Sequence, residues 1–328
     1  MFWEKEGKLI YSYDGETVCI EAWGKDALRV RATKNRSFTG RDWALEAKDA
    51  HAGEVEIFED PSAKGGAFAN MYEGTDTSYG KITNGKLHAV IDSGSVITFY
   101  HEDGRVLLKE HFRRLRDEES MPLNIMGREY SNGVGDNFRI VTRFVARKGE
   151  KIFGMGQYQQ HELDLKGCML ELAQRNSQVS VPFYLSSIGY GFLWNNPGVG
   201  QVMFANNGTE WVTESGKEID YLVIAGDTPA EIEENYMTLT GKPPMMPEYG
   251  MGFWQCKLRY WNQEQLLSVA RKYKELGIPL DVIIVDFFHW TKQGEFKFDP
   301  KYWPDVPGMC RELKEMGIQV VVSVWPHV

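Results

Sequence analysis

Three prolines within five positions, in Gly241-Lys242-Pro243-Pro244-Met245-Met246-Pro247, divide this 328-residue sequence into two stretches with different patterning. Proline fixes φ and lacks an amide hydrogen, so neither a helix nor a central strand continues through such a segment. Whatever the chain folds into is therefore built in two parts, residues 1–240 and 241–328. The length agrees, since single hydrophobic cores stop growing near ~250–300 residues.

The first part is written in short strands. Thr17-Val18-Cys19-Ile20-Glu21-Ala22-Trp23 and Ala27-Leu28-Arg29-Val30-Arg31 are β-rich runs. Lys86 to Ile91, Val96 to Tyr100 and Arg105 to Leu108 follow one another across Ser93-Gly94-Ser95 and Glu102-Asp103-Gly104, which have the composition of hairpin turns. Phe138 to Val145 continues the series, whereas Arg36 to Tyr79 is weakly patterned and reads as loop-rich. Many short strands without a long helix predict an antiparallel β-sandwich. Pro229 to Leu239 then reads as a helix with Ile232, Tyr236 and Leu239 on one face.

The second part alternates strand and helix. Gly250 to Lys257 is an apolar run of strand length. Asn262 caps the next helix, with Gln265 closing a capping box and Leu266, Val269, Ala270, Tyr273 and Leu276 as the apolar stripe. Gly277 stops it, and Leu280 to Val285 is an almost uninterrupted apolar strand, as expected where both faces of a parallel sheet are covered. A helix over Gly308 to Met316 leads into a strand over Ile318 to Val324. Lys274-Glu275-Leu276-Gly277-Ile278 recurs forty positions later as Lys314-Glu315-Met316-Gly317-Ile318. One helix and one strand per period suits the start of a (β/α)8 barrel. A doubly wound sheet fits the same alternation, but Gly154-Met155-Gly156 lacks the third glycine and opens no helix, so a dinucleotide fold is weakly supported. The expected class is mixed β and α/β.

Composition excludes several functions. Forty-six acidic against thirty-seven basic side chains give a net charge of −9, which argues against nucleic acid and anionic membrane surfaces as partners. No stretch approaches the ~20 apolar residues of a membrane span, and Met1-Phe2-Trp3-Glu4-Lys5 has no secretory character, so a cytoplasmic location is expected. Cys19, Cys168, Cys256 and Cys310 are scattered without a metal or disulfide pattern. Ten Trp, fifteen Tyr and seventeen Phe exceed ordinary packing needs; flat ring faces suit sugars, although for any single ring the core is the plain reading.

In a barrel, function gathers where strands end. Three such ends are legible: Gln255 to Trp261, Val285-Asp286-Phe287-Phe288-His289-Trp290, and Ser323-Val324-Trp325-Pro326-His327. Asp286 terminates an apolar strand and precedes four rings, so it must be paired, hydrated or in contact with a ligand. Carboxylates accept hydrogen bonds from vicinal hydroxyls, and Trp or Phe faces pack on the C–H face of a pyranose. The plain alternative is an Asp capping the loop beside core rings, and Trp290 and Trp325 read equally as wall or core. His289 and His327 lie on different loops with no third ligand, so ordinary hydrogen-bonded histidines are favoured over a metal pair. No Gly-x-Ser-x-Gly elbow is found and Cys256 has no identifiable His partner, so covalent acyl chemistry is unsupported.

These segments resemble glycoside hydrolase family 31. Pro247-Glu248-Tyr249-Gly250-Met251-Gly252-Phe253-Trp254-Gln255 with Arg259-Tyr260 looks like the opening of that family's catalytic barrel. Gly277-Ile278-Pro279-Leu280-Asp281-Val282-Ile283 with Asp286, and Phe298-Asp299 with Trp303-Pro304-Asp305, continue the likeness. Ser323-Val324-Trp325-Pro326 resembles the α-xylosidase-like branch, and Phe153-Gly154-Met155-Gly156-Gln157 a sandwich-domain loop, with Pro182-Phe183 and Gly189-Tyr190-Gly191 in the strands after it. The resemblance implies a galactose-mutarotase-like sandwich followed by a (β/α)8 barrel, and retaining hydrolysis of α-glycosides with no metal or organic cofactor. By the same resemblance Asp286 would hydrogen-bond the sugar in subsite −1, Trp325 would wall it, Phe287, Phe288 and Trp290 would lie near it, and Arg259 would sit in the first rim loop.

Retaining hydrolysis needs two carboxyl groups ~5–5.5 Å apart. In the resembled family both come from later barrel strands, and Asp286 matches a binding residue, so no catalytic residue is expected among these 328. The expectation is a portion of a longer enzyme, or a barrel completed by another chain or a homo-oligomer. An oligosaccharide or small α-glycoside is the expected substrate, as an α-xyloside, with α-glucosidase the near alternative and α-galactoside or transglycosylating activity behind it. A non-catalytic carbohydrate-binding or mutarotase-like sandwich is the alternative from another class; His88, His101, His111 and His161 do not form the pattern isomerase chemistry would need.

Overall fold

A computed structural model describes residues 1–46, 49–61, 77–111 and 126–326. The chain divides into two compact units, Met1–Lys242 and Pro243–Val328. Among the described residues no helix is long and apolar enough to cross a membrane.

The first unit is the β-sandwich that the short strand runs imply. Its largest sheet has nine strands, in which Phe2–Lys5, Lys8–Tyr13, Glu16–Trp23 and Ala27–Thr33 form an antiparallel meander continued by Ile219–Ala225, Tyr190–Trp194, Val179–Ser186 and Ile152–Gln157. Two five-stranded antiparallel sheets complete it, one centred on the Leu87–Asp92 and Ile97–His101 hairpin and one on Phe138–Phe144 and Thr209–Gly216. All three sheets give side chains to one core that includes Leu9, Ile20, Phe99, Phe144, Phe192 and Trp211. The Pro229–Thr240 helix covers the other face of the large sheet through Ile232 and Leu239, beside Leu222 and Ile224. With both faces covered, Ile219–Ala225 is buried at every position. Much of the aromatic excess is consumed here: Trp194 and Trp211 stack with ring centroids 5.5 Å apart, and Phe192 lies 5.1 Å from Trp211.

Buried charge clusters stand on both faces of the large sheet. The fully buried Arg29 donates to both carboxylate oxygens of Asp220 at 3.0 and 2.7 Å, to Asp42 at 2.7 Å and to the Arg41 carbonyl at 2.8 Å. Burial pushes the Asp220 carboxyl up to about 6 although Arg29 and Asn195 pull it down, which still leaves it ionised at neutral pH. Arg128 likewise binds Glu16 at 3.0 Å, Glu110, and the Ser95 carbonyl at 2.8 Å.

The Phe153–Gln157 motif is an irregular strand. Gly154, Met155 and Gly156 all have positive φ (116°, 69° and 93°), and the pairing with Val179–Ser186 shifts register there. A Cβ on Gly156 would lie 2.1 Å from the Val179 carbonyl oxygen, so only glycine permits this bulge.

The second unit has a three-stranded parallel sheet, Trp254–Gln255, Val282–Val285 and Gln319–Val322 in that order. The helices Gln263–Glu275 and Val306–Glu315 connect the strands. Leu266, Ala270, Leu280, Ile283, Met309 and Leu313 make its core. The repeated pentapeptide is a repeated helix stop: Gly277 and Gly317 take φ of 65° and 80°. The Ile278 and Ile318 amides reach back to Tyr273 and Leu313 at 3.0 and 2.9 Å, the long bond of a Schellman motif.

Several details differ from the sequence reading. The Gly250-to-Lys257 strand shrinks to Trp254–Gln255, because Glu248–Met251 forms a 3-10 turn and Gly252 passes tightly over Asp281, whose carboxylate accepts from the Phe253 amide at 3.0 Å. The capping box is offset by one residue: Asn262 accepts from the Gln265 amide at 2.9 Å, but Gln265 returns to the Trp261 amide at 2.7 Å rather than to Asn262. Leu276 is exposed and Leu267 takes the buried place in the stripe, since the helix ends at Glu275 and Leu276 has left its face. The 36–79 stretch contains strands Ala50–His51 and Glu54–Phe58; residues 62–76 lie outside the described residues.

Asp220→Ala leaves Arg29 as a buried cation without its bidentate partner and is expected to cost ~3–5 kcal/mol, read as a lowered urea midpoint of the whole chain. Gly156→Ala is expected to lower that midpoint too, because backbone rather than a flexible side chain stands in the way.

Candidate active site

Parallel pairing sets the strand ends side by side. Gln255 is level with Ile283 and Val285 with Val322, and the Ser323 amide donates to the Val285 carbonyl at 2.9 Å. The segments after the three strands therefore share one rim of the second unit, and they hold all six sequence-selected residues: Arg259, Asp286, Phe287, Phe288, Trp290 and Trp325.

Asp286 is half-buried at the end of Val282–Val285. One carboxylate oxygen accepts from the Phe287 amide at 2.8 Å, and the other faces the Cys256 thiol at 3.6 Å. Among the described residues no Lys, Arg or His pairs with it. A thiol is a weak donor, so most of the acceptor capacity of this carboxylate is left for an outside partner. Burial, with Asp286 nearby, pushes the Cys256 thiol up, so it stays a protonated donor rather than a thiolate nucleophile.

Phe287 and Phe288 lie 5.3 and 5.7 Å from Trp325, and Trp290 lies 5.9 Å from Trp325 and from Phe288. Trp290 is buried, whereas Phe288 and Trp325 are 50% and 36% exposed. Of the two tryptophans, Trp290 is thus the buried member of the cluster and Trp325 the partly exposed one. Phe288 has φ of 60°, an uncommon conformation for an aromatic residue that costs on the order of 1–3 kcal/mol.

Arg259 reaches the same rim from the first strand. Its guanidinium lies 3.8 Å from the Trp261 ring centroid and 5.3 Å from that of Phe288, and donates weakly to the Phe288 carbonyl at 3.5 Å. Trp261 was not singled out from the sequence, though its spacing two residues after Arg259 was the available signal.

His289 is structural. It is buried, its Nδ1–H donates to the Asp286 carbonyl at 3.1 Å, its ring lies 4.7 Å from that of Phe298, and burial holds its pKa below the ordinary value. The Asp299 amide donates to its carbonyl at 2.7 Å, which ties the Phe298-Asp299 segment under the rim. Sequence reading gave no sign of this tie. His327, the other half of the metal pair weighed above, lies outside the described residues, and among these no group of three or more His, Cys, Asp or Glu is placed to hold a metal.

The arrangement combines a hydrogen-bond acceptor, apolar ring faces and a cation at one strand-end rim, the means of holding a polyhydroxylated ring. Among the described residues the hydrogen-bond partners of the Asp286 carboxylate are the Phe287 amide and the Cys256 thiol, not a second carboxyl group.

Comparison with known proteins agrees in both units. The family model for the glycosyl hydrolase 31 N-terminal galactose mutarotase-like domain matches residues 17–202, and that for the glycosyl hydrolases family 31 TIM-barrel domain matches residues 243–328. An uncharacterized family 31 glucosidase from Pseudescherichia vulneris is 42% identical over 99% of this chain and 60% of its own length. An α-xylosidase from Saccharolobus solfataricus is 36% identical over 58% of the chain and 27% of its own length. The crystal structure of a soil-metagenome α-xylosidase complexed with xylose superposes with a TM-score of 0.87 at 43% identity, covering all of this chain and 47% of that one. The chain thus spans 60% or less of each of these relatives. A galactose-mutarotase-like sandwich followed by the first strands of a family 31 barrel places this chain in glycoside hydrolase family 31.

Proposed function

We propose that this chain carries the sugar-holding part of a retaining α-xylosidase, with residues 1–240 as the sandwich domain and 241–328 as the start of the catalytic barrel of a cytoplasmic enzyme of carbohydrate metabolism. The observation that carries the reading is Asp286: a half-buried carboxylate with no cationic partner among the described residues, framed by the rings of Phe287, Phe288 and Trp325. In the proposed complex Asp286 accepts hydrogen bonds from adjacent hydroxyls of the −1 sugar, and Trp325 and Phe288 cover its C–H face. Trp290 supports them from behind, and Arg259, held by Trp261, lies beside Phe288 at the same rim.

Xylose is favoured over glucose on chemical grounds. Xylopyranose lacks the C5 hydroxymethyl group, and a wall of rings gives that hydroxyl no partner, a loss that costs about 1–3 kcal/mol where a polar group is left unsatisfied. The names of the α-xylosidase relatives support the same choice. The carboxylate pair that breaks the glycosidic bond is assigned to barrel strands other than the three present here, because retention requires two carboxyl groups ~5–5.5 Å apart and Asp286 is read as a sugar-binding residue. No metal or cofactor enters this mechanism: nucleophile and acid/base are both carboxyl groups.

The purified 328-residue chain is expected to release no aryl alcohol from an aryl α-xyloside, and clear turnover would overturn the assignment of the catalytic pair elsewhere. In an enzyme containing this sequence and a closed barrel, aryl α-xyloside should be hydrolysed faster than aryl α-glucoside; the reverse order makes it an α-glucosidase. There Asp286→Asn is expected to lower kcat/KM for the xyloside by at least tenfold, with a change below twofold counting against a sugar-binding role.

A further inference from the structure

The sandwich unit has a cleft of its own. It measures about 880 Å³, within the ~300–1,000 Å³ of small-molecule sites, and lies between the segments 35–43, 136–137, 196–198 and 213–218. No residue of the rim described above lines it. Trp43 stands at this cleft 47% exposed, with φ of 54°. An exposed tryptophan in the left-handed region is unfavourable on two counts, and such a conformation persists only where its surroundings impose it.

Here they do. The buried Arg29 grips the Arg41 carbonyl and the Asp42 carboxylate on one side of Trp43. Asn195 donates to the Asp42 carbonyl at 3.1 Å and accepts from the Ala44 amide at 3.3 Å, which fixes the other side. The indole is therefore displayed by a rigid backbone, with the Arg41 guanidinium 5.4 Å from its ring centroid.

The polar groups of the cleft divide sharply. Both Glu218 oxygens are taken by Thr39, through its amide and its hydroxyl at 2.8 Å each, and Asp136 is paired with Lys217 at 2.7 Å. Asn196 donates to the Asp220 carbonyl at 2.8 Å, which orients its amide. The Arg36 guanidinium, by contrast, is exposed and has no partner among the described residues. A preorganised ring face, an oriented amide and an uncommitted guanidinium, with the carboxylates already satisfied, match the C–H face and hydroxyl edge of a sugar.

We infer that this cleft is a second, non-catalytic oligosaccharide site, in which a pyranose stacks on Trp43 while Arg36 and Asn196 bind its hydroxyls or, in a uronic acid, its carboxylate. Such a site would hold a chain of substrate on the sandwich independently of the barrel rim.

Isothermal titration of the 328-residue chain, with a neutral xylo-oligosaccharide and with one bearing a single glucuronic acid, tests this. Binding should weaken at least tenfold in Trp43→Ala and stay within twofold in Lys148→Ala, an exposed control outside both the cleft and the rim. Circular dichroism of Trp43→Ala checks folding, and Arg36→Ala, at an exposed position, supplies a second variant expected to weaken binding. Preferential loss of the uronate ligand in Arg36→Ala identifies a carboxylate at that position; equal loss of both identifies hydroxyl recognition. Absence of binding to either ligand, or binding unchanged in Trp43→Ala and Arg36→Ala, overturns the inference. Binding abolished by Asp286→Asn alone overturns it as well and leaves the rim reading standing, so the two sites fail separately.

Discussion

The ladder between Val282–Val285 and Gln319–Val322 fixes the place of everything at the rim. Because these strands run parallel and in register, the residues following each emerge at one level, and Asp286 and Trp325, thirty-nine positions apart, meet through Phe287. The same register depends on where each strand starts, which the twin Schellman stops at Gly277 and Gly317 determine. A one-residue slip would turn the side chains of a strand to its other face and scatter the rim.

The sandwich follows another constraint. Its large sheet is covered on both faces, so the central strands cannot dispose of polar groups by pointing them at water. Arg29 and Asp220 are consequently buried as a pair, and their geometry extends to Arg41 and Asp42 in the loop twelve and thirteen residues after Arg29. A charge placed in the core thereby shapes the surface beside it.

What the sequence disclosed followed from periodicity and from end signals. The hairpins around Glu102-Asp103-Gly104, the helix from Asn262 to Gly277 and the strand before Asp286 were legible because each is local: a turn, a cap, a continuous apolar run. The shortened first strand was not, because its cause is the Asp281 carboxylate, twenty-eight residues from the Phe253 amide that it binds. The irregular backbone at Phe153–Gln157 was equally hidden; the glycines were visible, but the bulge depends on a partner strand. At the rim, Asp286, Trp290 and Trp325 stood out by their place at strand ends, and Phe287 and Phe288 by the family resemblance. The Trp261 platform under Arg259 and the histidine tie to Phe298-Asp299 escaped, since both are contacts between segments. The Trp43 cleft lay in the stretch read as unpatterned, where periodicity carries no information about a displayed side chain.

Phe288 has a consequence for how such a rim can diversify. It is held at φ of 60°, with its ring 5.7 Å from that of Trp325 and 5.3 Å from the Arg259 guanidinium, so its backbone is already in a costly conformation. Under the proposed sugar-holding role, the Phe288 and Trp325 rings, 5.7 Å apart, then set the size of the sugar as a pair, and a change at either one is felt by the other.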